Sequence, residues 1–237
     1  MRVVLEERTE GFDPEPLPLS ILYEDECFLA VDKSSGMLVH PSPQKNSGTL
    51  ANGVLYHLLE RGEASGVHPV TRLDRDTFGV VILAKNANIH DRFCRMLRER
   101  QLEKTYLASV FGQPPQAEGQ IDLPVYKVGG GSLIRVVDER GQRALTQYRV
   151  LEQAEKTALL ELHPLTGRTH QLRLHCMASG FPILGDPQYT SPEATAYSAA
   201  HGLFTQQLCA ARLVFPHPMT GERMEILSKQ EVFFPKD

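Results

Sequence analysis

The chain has 237 residues, of which 41% are hydrophobic and 23% are charged, and its formal net charge is −4. These values are ordinary for a globular protein and exclude a fibrous or a disordered chain. No apolar run approaches the roughly 18 residues of a membrane-spanning helix, and the acidic N-terminus lacks the apolar segment of a secretory signal. Four widely spaced cysteines without a C-x-x-C pair predict neither a zinc ribbon nor a disulfide framework, so a cytoplasmic protein is expected.

Charge is distributed unevenly along the sequence. Residues 1–30 carry a net charge of −6, whereas residues 68–110 carry a net charge of +3. A basic face that attracts a polyanion and ordinary scattered surface charge both fit this pattern, so charge alone does not choose between them.

The first half of the chain predicts strands and two helices. Residues 1–18, acidic and rich in proline, predict an extension ahead of a single domain of residues 19–237. The elements predicted next are strands at 21–23 and 27–31, a helix at 50–59, a strand at 67–73, a loop at 74–79, a strand at 80–84 and an amphipathic helix at 88–102.

The second half predicts mostly strands. These are expected at 106–111, 145–151, 157–163, 207–215 and 223–227, with a turn-rich stretch at 113–142 and a short helix at 169–179 that ends at Gly180. Because strands outnumber helices and short turns separate several of them, the expected fold class is α+β, a mixed, largely antiparallel sheet with flanking helices.

One polar cluster interrupts the apolar strands at Arg72, Asp74, Arg75, Asp76 and Thr77. An aspartate flanked by arginines is expected to be ionised at neutral pH, which suits a catalytic carboxylate. Aspartate and threonine are also common turn residues, so a plain turn is the alternative. Asp74 and Asp76 stand two positions apart in this cluster, and a carboxylate dyad is not expected.

A second polar cluster covers residues 166–175, with two arginines, two histidines and no acidic residue. At the start of a helix this composition predicts a phosphate site, and an exposed basic helix face is the alternative. Sequence signatures of nucleotide-binding loops and of zinc hydrolases are missing, and the nine histidines show no familiar metal-ligand spacing.

At these clusters the sequence resembles the RluA-type pseudouridine synthases. The family's H-R-L-D-x-x-T-S-G motif corresponds to TRLDRDTFG at residues 71–79. Four further stretches follow the family's order: VDKSSGMLVHP at 31–41, KTYLA at 104–108, TGRTHQLR at 166–173 and FPILGDPQY at 181–189. The similarity extends from about residue 20 to residue 227.

The resemblance implies the pseudouridine synthase fold with a central active-site cleft, and isomerisation of uridines in structured ribosomal or transfer RNA. It implies that Asp74 is the catalytic aspartate, that Tyr106 packs on the target base and that Arg173 pairs with the aspartate. Residues expected to contact substrate or RNA are Arg72, Thr77, Arg98, Arg168, His170, Gln171, Leu172 and Ile183. Arg72 is expected to fill the gap left by the flipped nucleotide. No cofactor, metal or membrane partner is implied, and a monomer is expected.

Four positions depart from the family pattern: Ser34, Thr71, Phe78 and Cys209 replace a proline, a histidine, a serine and a histidine. They leave the three catalytic positions intact and bear on the choice of RNA target. The N-terminal S4 domain of many relatives is not expected, so RNA affinity would come from the domain itself. Candidates for that contact are Arg92, Arg95, Arg98, Arg100, Lys104 and Arg168, although the arginine-rich helix could equally be a solvated face.

Two other functions remain open at this point. One is an RNA-binding module that has lost catalysis, which retention of Asp74, Tyr106 and Arg173 disfavours. The other is a glycoside hydrolase that uses Asp74 with a second carboxylate.

Overall fold

The computed structural model describes residues 11–42, 45–63, 66–129 and 134–236, so the first ten residues of the predicted extension lie outside the described residues. The chain forms two compact units. Unit 1 contains the chain up to residue 103 together with residues 210–230, and unit 2 contains residues 104–209 and the C-terminal residues from 231.

The described elements follow in chain order. They are β1 (Ile21–Glu24), β2 (Phe28–Lys33), α1 (Leu50–Glu60), β3 (His68–Pro69), β4 (Phe78–Ala84), α2 (Ala87–Arg98), β5 (Glu103–Phe111), β6 (Glu118–Asp122), β7 (Val125–Lys127), β8 (Arg135–Val137), β9 (Leu145–Gln153), β10 (Thr157–Pro164), α3 (Gln171–Ala178), α4 (Pro192–Ala200), β11 (Leu208–Pro216) and β12 (Arg223–Leu227).

Unit 1 is a sheet with a helix packed on each face. β1, β2 and β4 pair in that order and antiparallel, β11 follows β4, and β3 and β12 pair with β4 and β11. Side chains of β4 alternate between two cores: Ile82 packs with Phe93 of α2, and Val81 and Leu83 pack with the apolar face of α1. Because both faces are covered, every residue of β2 and β4 is buried.

Unit 2 contains the antiparallel order β5-β10-β9-β6, with β7 and β8 as a separate antiparallel ribbon. Its core joins alternate residues of β5 and β10, such as Val110 and Leu160, to Leu172 and Cys176 of α3. The two units together confirm the predicted α+β class with a largely antiparallel sheet.

The structure corrects several predicted boundaries in unit 1. The strand predicted at 67–73 is wrong beyond β3, because Pro69 has no N–H and the Thr71 side chain accepts the hydrogen bond of the Ile82 N–H. The second strand begins at Phe78 rather than at Val80. α2 ends at Arg98, four residues earlier than predicted, and Arg100 has a left-handed backbone.

Three short strands and one helix were not predicted. β6, β7 and β8 lie in the stretch at 113–142 that is predicted to be rich in turns. α4 lies between the helix predicted at 169–179 and the strand predicted at 207–215. The short helix is confirmed as α3, and Gly180 follows it with φ +85°.

The described part of the predicted extension belongs to unit 1 and contacts α1 and the residues just before it. Asn52 donates to the backbone carbonyl of Asp13, and the Gly48 N–H donates to the Glu15 carboxylate. All four cysteines are free thiols. Within the described ranges, no helix is both long enough and apolar enough to cross a membrane.

Candidate active site

The Asp74 loop is the irregular segment of residues 70–77 between β3 and β4. Its start is fixed to β4, because the buried Thr71 hydroxyl accepts from the Ile82 N–H at 3.0 Å. Arg72 is exposed, Asp74 is half-buried and Thr77 is buried. Gly79 then follows with φ +106°, where a Cβ would overlap the backbone of Ala210. Thr71, a departure from the family pattern, is therefore part of the support of the loop.

Lys33 supports the same loop from within unit 1. Its ammonium group, 1% exposed, donates to the carbonyl oxygens of Ser34 at 2.9 Å, Met37 at 2.8 Å and Arg75 at 2.9 Å. Burial lowers the pKa of Lys33 to about 8, and the carboxylates of Asp76 and Asp74 oppose that shift. A lysine to which the sequence analysis gave no role therefore holds the backbone directly after Asp74.

The Asp76 carboxylate forms an ion pair with the neighbouring Arg75. The Arg75 guanidinium donates to both of its carboxylate oxygens, with Nε–Oδ1 at 3.0 Å and Nη2–Oδ2 at 2.9 Å. Ser35 donates to the Asp76 carbonyl at 3.0 Å. The loop is thus anchored by Lys33 and Ser35, both in the VDKSSGMLVHP stretch.

Arg173 lies on α3 in unit 2 and is 6% exposed. It forms a bidentate ion pair with Asp186, with Nε–Oδ2 at 2.6 Å and Nη2–Oδ1 at 2.9 Å. The backbone N–H groups of Gln188 and Tyr189 also donate to Asp186, and the Tyr189 ring centroid is 4.9 Å from the guanidinium carbon. Asp186 belongs to the family stretch FPILGDPQY at 181–189, but no role at the site is predicted for it from the sequence. The predicted pairing of Arg173 with Asp74 stays a prediction.

The loop before α3 is built around Gln171, which is 3% exposed. The side-chain oxygen of Gln171 (Oε1) accepts hydrogen bonds from the Thr166 hydroxyl and the Arg168 N–H. Its side-chain NH₂ group donates to the Leu145 carbonyl oxygen and to Thr146 Oγ1. Arg168 is exposed at the surface of this loop. Gln171 therefore shapes the loop from the inside.

His170 connects this loop to Tyr189. It has a left-handed backbone with φ 57°, and its Nδ1 lies 2.9 Å from the Tyr189 hydroxyl. Histidine is one of the few non-glycine residues that adopt this conformation with some frequency. The Tyr189 hydroxyl also accepts from the Arg135 N–H at 2.9 Å, so one tyrosine joins the start of α3 to β8.

The remaining predicted site residues divide by exposure. Arg98 lies on the exposed side of α2 with Arg92 and Arg95. Tyr106, on β5, is half-buried, and Leu172 and Ile183 belong to the unit 2 core. Thus Arg72, Arg98 and Arg168 are open to a large partner, whereas Leu172 and Ile183 are packing residues.

One group of potential metal ligands occurs in the described part of the chain: Asp25, Cys27 and His217, whose ligand atoms lie within 4.8 Å of one another. Hydrogen bonds within the protein already engage the side chains of Asp25 and His217. His217 Nδ1 accepts from the N–H groups of Met219 and Thr220, so the ring proton is on Nε2, 2.7 Å from Asp25 Oδ2. Burial raises the pKa of the Cys27 thiol, which disfavours the thiolate form that binds metals.

Comparison with known proteins identifies the family. The sequence profile described as RNA pseudouridylate synthase matches residues 27–178. An uncharacterized RNA pseudouridine synthase of Aquifex aeolicus is 39% identical over 218 residues, covering 89% of this chain and 69% of the relative. The ribosomal large subunit pseudouridine synthase D of Zymomonas mobilis is 34% identical over 223 residues, covering 90% of this chain and 69% of the relative.

A solved structure agrees with these matches. Human RNA pseudouridylate synthase domain containing 1 superposes with a TM-score of 0.74 at 27% identity, covering 90% of this chain and 84% of the human chain. These matches favour the isomerase over the hydrolase hypothesis. The chain belongs to the RNA pseudouridylate synthase family, in its RluA-type branch, and is an RNA pseudouridine synthase.

Proposed function

We propose that the enzyme converts uridines of structured RNA to pseudouridine by base flipping, with Asp74 as the catalytic aspartate. The observation that carries the proposal is the anchoring of the Asp74 loop. Thr71 fixes the loop before Asp74 and Lys33 fixes it after Asp74, while the side chain of Asp74 remains half-buried. Catalysis on a target base requires a reactive group that its surroundings hold in a fixed position and that the base can still reach.

The reaction breaks the N1–C1′ bond of the uridine, turns the base within the site and joins C5 to C1′. The C5 proton leaves, and a proton is gained at N1, so no redox group or donor is consumed. We propose that Tyr106 packs on the base and that Arg173 supplies the positive charge this chemistry needs near a carboxylate. The bidentate pair with Asp186 supports this role, because it fixes the guanidinium of Arg173 in one orientation.

A base within an RNA stem must leave its stack before it reacts. Arg72 is exposed and stands two residues before Asp74, which supports a role in filling the vacated space. Phosphate contacts would come from exposed cations such as Arg98 and Arg168.

The substrate class proposed first is ribosomal RNA of the large subunit, and transfer RNA is the second candidate. The names of relatives support this order: the proteins of Zymomonas mobilis and Nitrosomonas europaea are both called ribosomal large subunit pseudouridine synthase D. They are 34% and 35% identical to this chain.

Tritium release tests the proposal. Transcripts of large-subunit ribosomal RNA and of transfer RNA, labelled with [5-³H]uridine, lose tritium to water when C5 forms its bond to the sugar. We expect release from the ribosomal transcript with the wild-type chain and none with Asp74→Asn. Binding of both RNAs without release from either would support the non-catalytic RNA-binding module instead.

A further inference from the structure

A cationic cavity of about 400 Å³ lies in unit 2. We call it the ribbon pocket, because the β7–β8 ribbon forms one wall. The turn at 140–142 and the loop at 167–169 form the others. Its lining includes four cations, Lys127, Arg135, Arg140 and Arg168.

The ribbon pocket is lined by positive charge, although the net charge of the whole chain is negative. The chain has a net charge of −4, yet the pocket lining contains four cations and no carboxylate. Within the described ranges, neither Lys127 nor Arg168 forms an ion pair. Like charges gathered around one cavity repel each other, and a bound polyanion relieves that repulsion.

Arg140 is held in place at the rim of the pocket. Its guanidinium donates to both oxygens of Asp138, with Nε–Oδ1 at 2.9 Å and Nη2–Oδ2 at 2.7 Å. The same group lies over the Tyr126 ring at 4.6 Å from its centroid. Two independent contacts therefore order this cation before any ligand binds, which lowers the entropy lost on binding.

Backbone segments approach each other closely in one wall of the pocket. Val125 and Gln142 exchange two backbone hydrogen bonds, of 2.9 and 3.0 Å. A Cβ at Gly141 would overlap the Val125 backbone, so the turn requires glycine there. At Gly167, by contrast, the Cβ position has no neighbour within 4 Å, which leaves backbone open beside Arg168.

Contacts through Tyr189 link the lining of the pocket to Arg173. The Arg135 N–H donates to the Tyr189 hydroxyl, and the Tyr189 ring packs on the Arg173 guanidinium. His170, at the end of the pocket-lining loop, contacts the same hydroxyl. A ligand in the ribbon pocket thus lies beside residues that fix the proposed catalytic arginine.

We propose that the ribbon pocket binds the phosphodiester backbone of the substrate RNA, with Lys127 and Arg168 as its phosphate contacts. This inference rests on the proposed function. Lys127, Arg140 and Arg168 are all exposed, so the site is open rather than enclosing. Small-molecule sites bury most of their ligand against apolar walls, whereas phosphate contacts with RNA are polar and solvent-accessible.

The test compares two charge-matched double variants. Lys127→Gln/Arg168→Gln removes two pocket cations, and Lys156→Gln/Lys229→Gln removes two exposed cations that do not line the pocket. The Kd for a labelled transcript of large-subunit ribosomal RNA is measured from 50 to 300 mM KCl, together with the thermal unfolding midpoint. The pocket variant is expected to bind about tenfold more weakly at low salt, with a plot of log Kd against log salt flattened by about two units.

The control variant is expected to match the wild type in slope, and Lys127→Arg is expected to keep the wild-type slope at position 127. Equal slopes for the pocket variant and the control would overturn the proposal. Failure of the wild type to form pseudouridine would overturn the proposed function alone, because the RNA-binding comparison does not depend on turnover.

Discussion

The Lys33 ammonium and the carbonyl oxygen of Arg75 form a hydrogen bond of 2.9 Å between residues 42 positions apart in the chain. This bond, with those to Ser34 and Met37, satisfies all three protons of a buried charged group. Because the bonded carbonyl follows Asp74 directly, the protonation of Lys33 and the placement of the Asp74 loop are linked.

That linkage predicts a pH dependence of stability. Folded Lys33 releases its proton near pH 8, whereas the unfolded chain holds it until about pH 10.5. The unfolded state therefore binds more protons between these values, and the wild type gains about 1.4 kcal/mol of stability per pH unit there relative to Lys33→Met. Urea unfolding of both proteins at pH 7, 8, 9 and 10 measures this difference. A difference that stays constant from pH 7 to 10 would contradict the assignment of the lowered pKa.

Asp186→Asn is expected to lower both stability and turnover. The substitution leaves the buried Arg173 guanidinium without its carboxylate, and loss of one partner of a buried pair costs about 3–5 kcal/mol. At a temperature well below unfolding, kcat should fall while KM stays near wild type, because the guanidinium loses its orientation and not its charge. Asp138→Asn, which breaks the bidentate pair with the exposed Arg140, is the control and should leave the unfolding midpoint nearly unchanged. Equal kcat values for Asp186→Asn and wild type would remove Asp186 as a positioning residue.

Gln171→Ala separates an internal role from direct RNA contact. Its four hydrogen bonds are all with the protein, so alanine leaves buried polar groups unpaired and should destabilise the fold by about 1–3 kcal/mol. The Kd for RNA, measured well below the unfolding temperature, should stay near the wild-type value. Thr169→Ala, at an exposed position of the same loop, should change neither quantity. Unchanged stability with a raised Kd for RNA would make Gln171 an RNA contact, as the family resemblance implies.

The sequence predicts elements that have a strong apolar pattern. The alternating residues of β4 and the Ile89, Phe93 and Met96 stripe of α2 identify both elements, and all three stripe residues are buried. α4 has no such stripe, since its sequence PEATAYSAA is mostly small residues, although Ser191 and Pro192 are good helix-start residues. The short β7–β8 ribbon falls below the length at which alternation is readable.

The site could be predicted only in part, for a physical reason. Family motifs name Asp74 and Arg173, but the supports of these residues are tertiary contacts. Lys33 contacts Arg75 of the loop, which is 42 positions away in the sequence, and Asp186 contacts Arg173, which is 13 positions away. No local periodicity encodes such pairings. Gln171 lies in a stretch whose sequence is polar, and its burial depends in the same way on contacts with Leu145 and Thr146 of β9.

The central claim is that Asp74 carries the chemistry, and single-turnover pseudouridine formation by Asp74→Asn tests it most directly. The replacement is nearly isosteric and leaves the anchoring bonds of Thr71 and Lys33 in place, so the fold and RNA affinity should persist. The rate at saturating large-subunit ribosomal RNA should fall by at least about four orders of magnitude, the scale of loss when a nucleophile or base is removed. A folded Asp74→Asn chain that still forms pseudouridine at a tenth of the wild-type rate, or faster, would contradict the account.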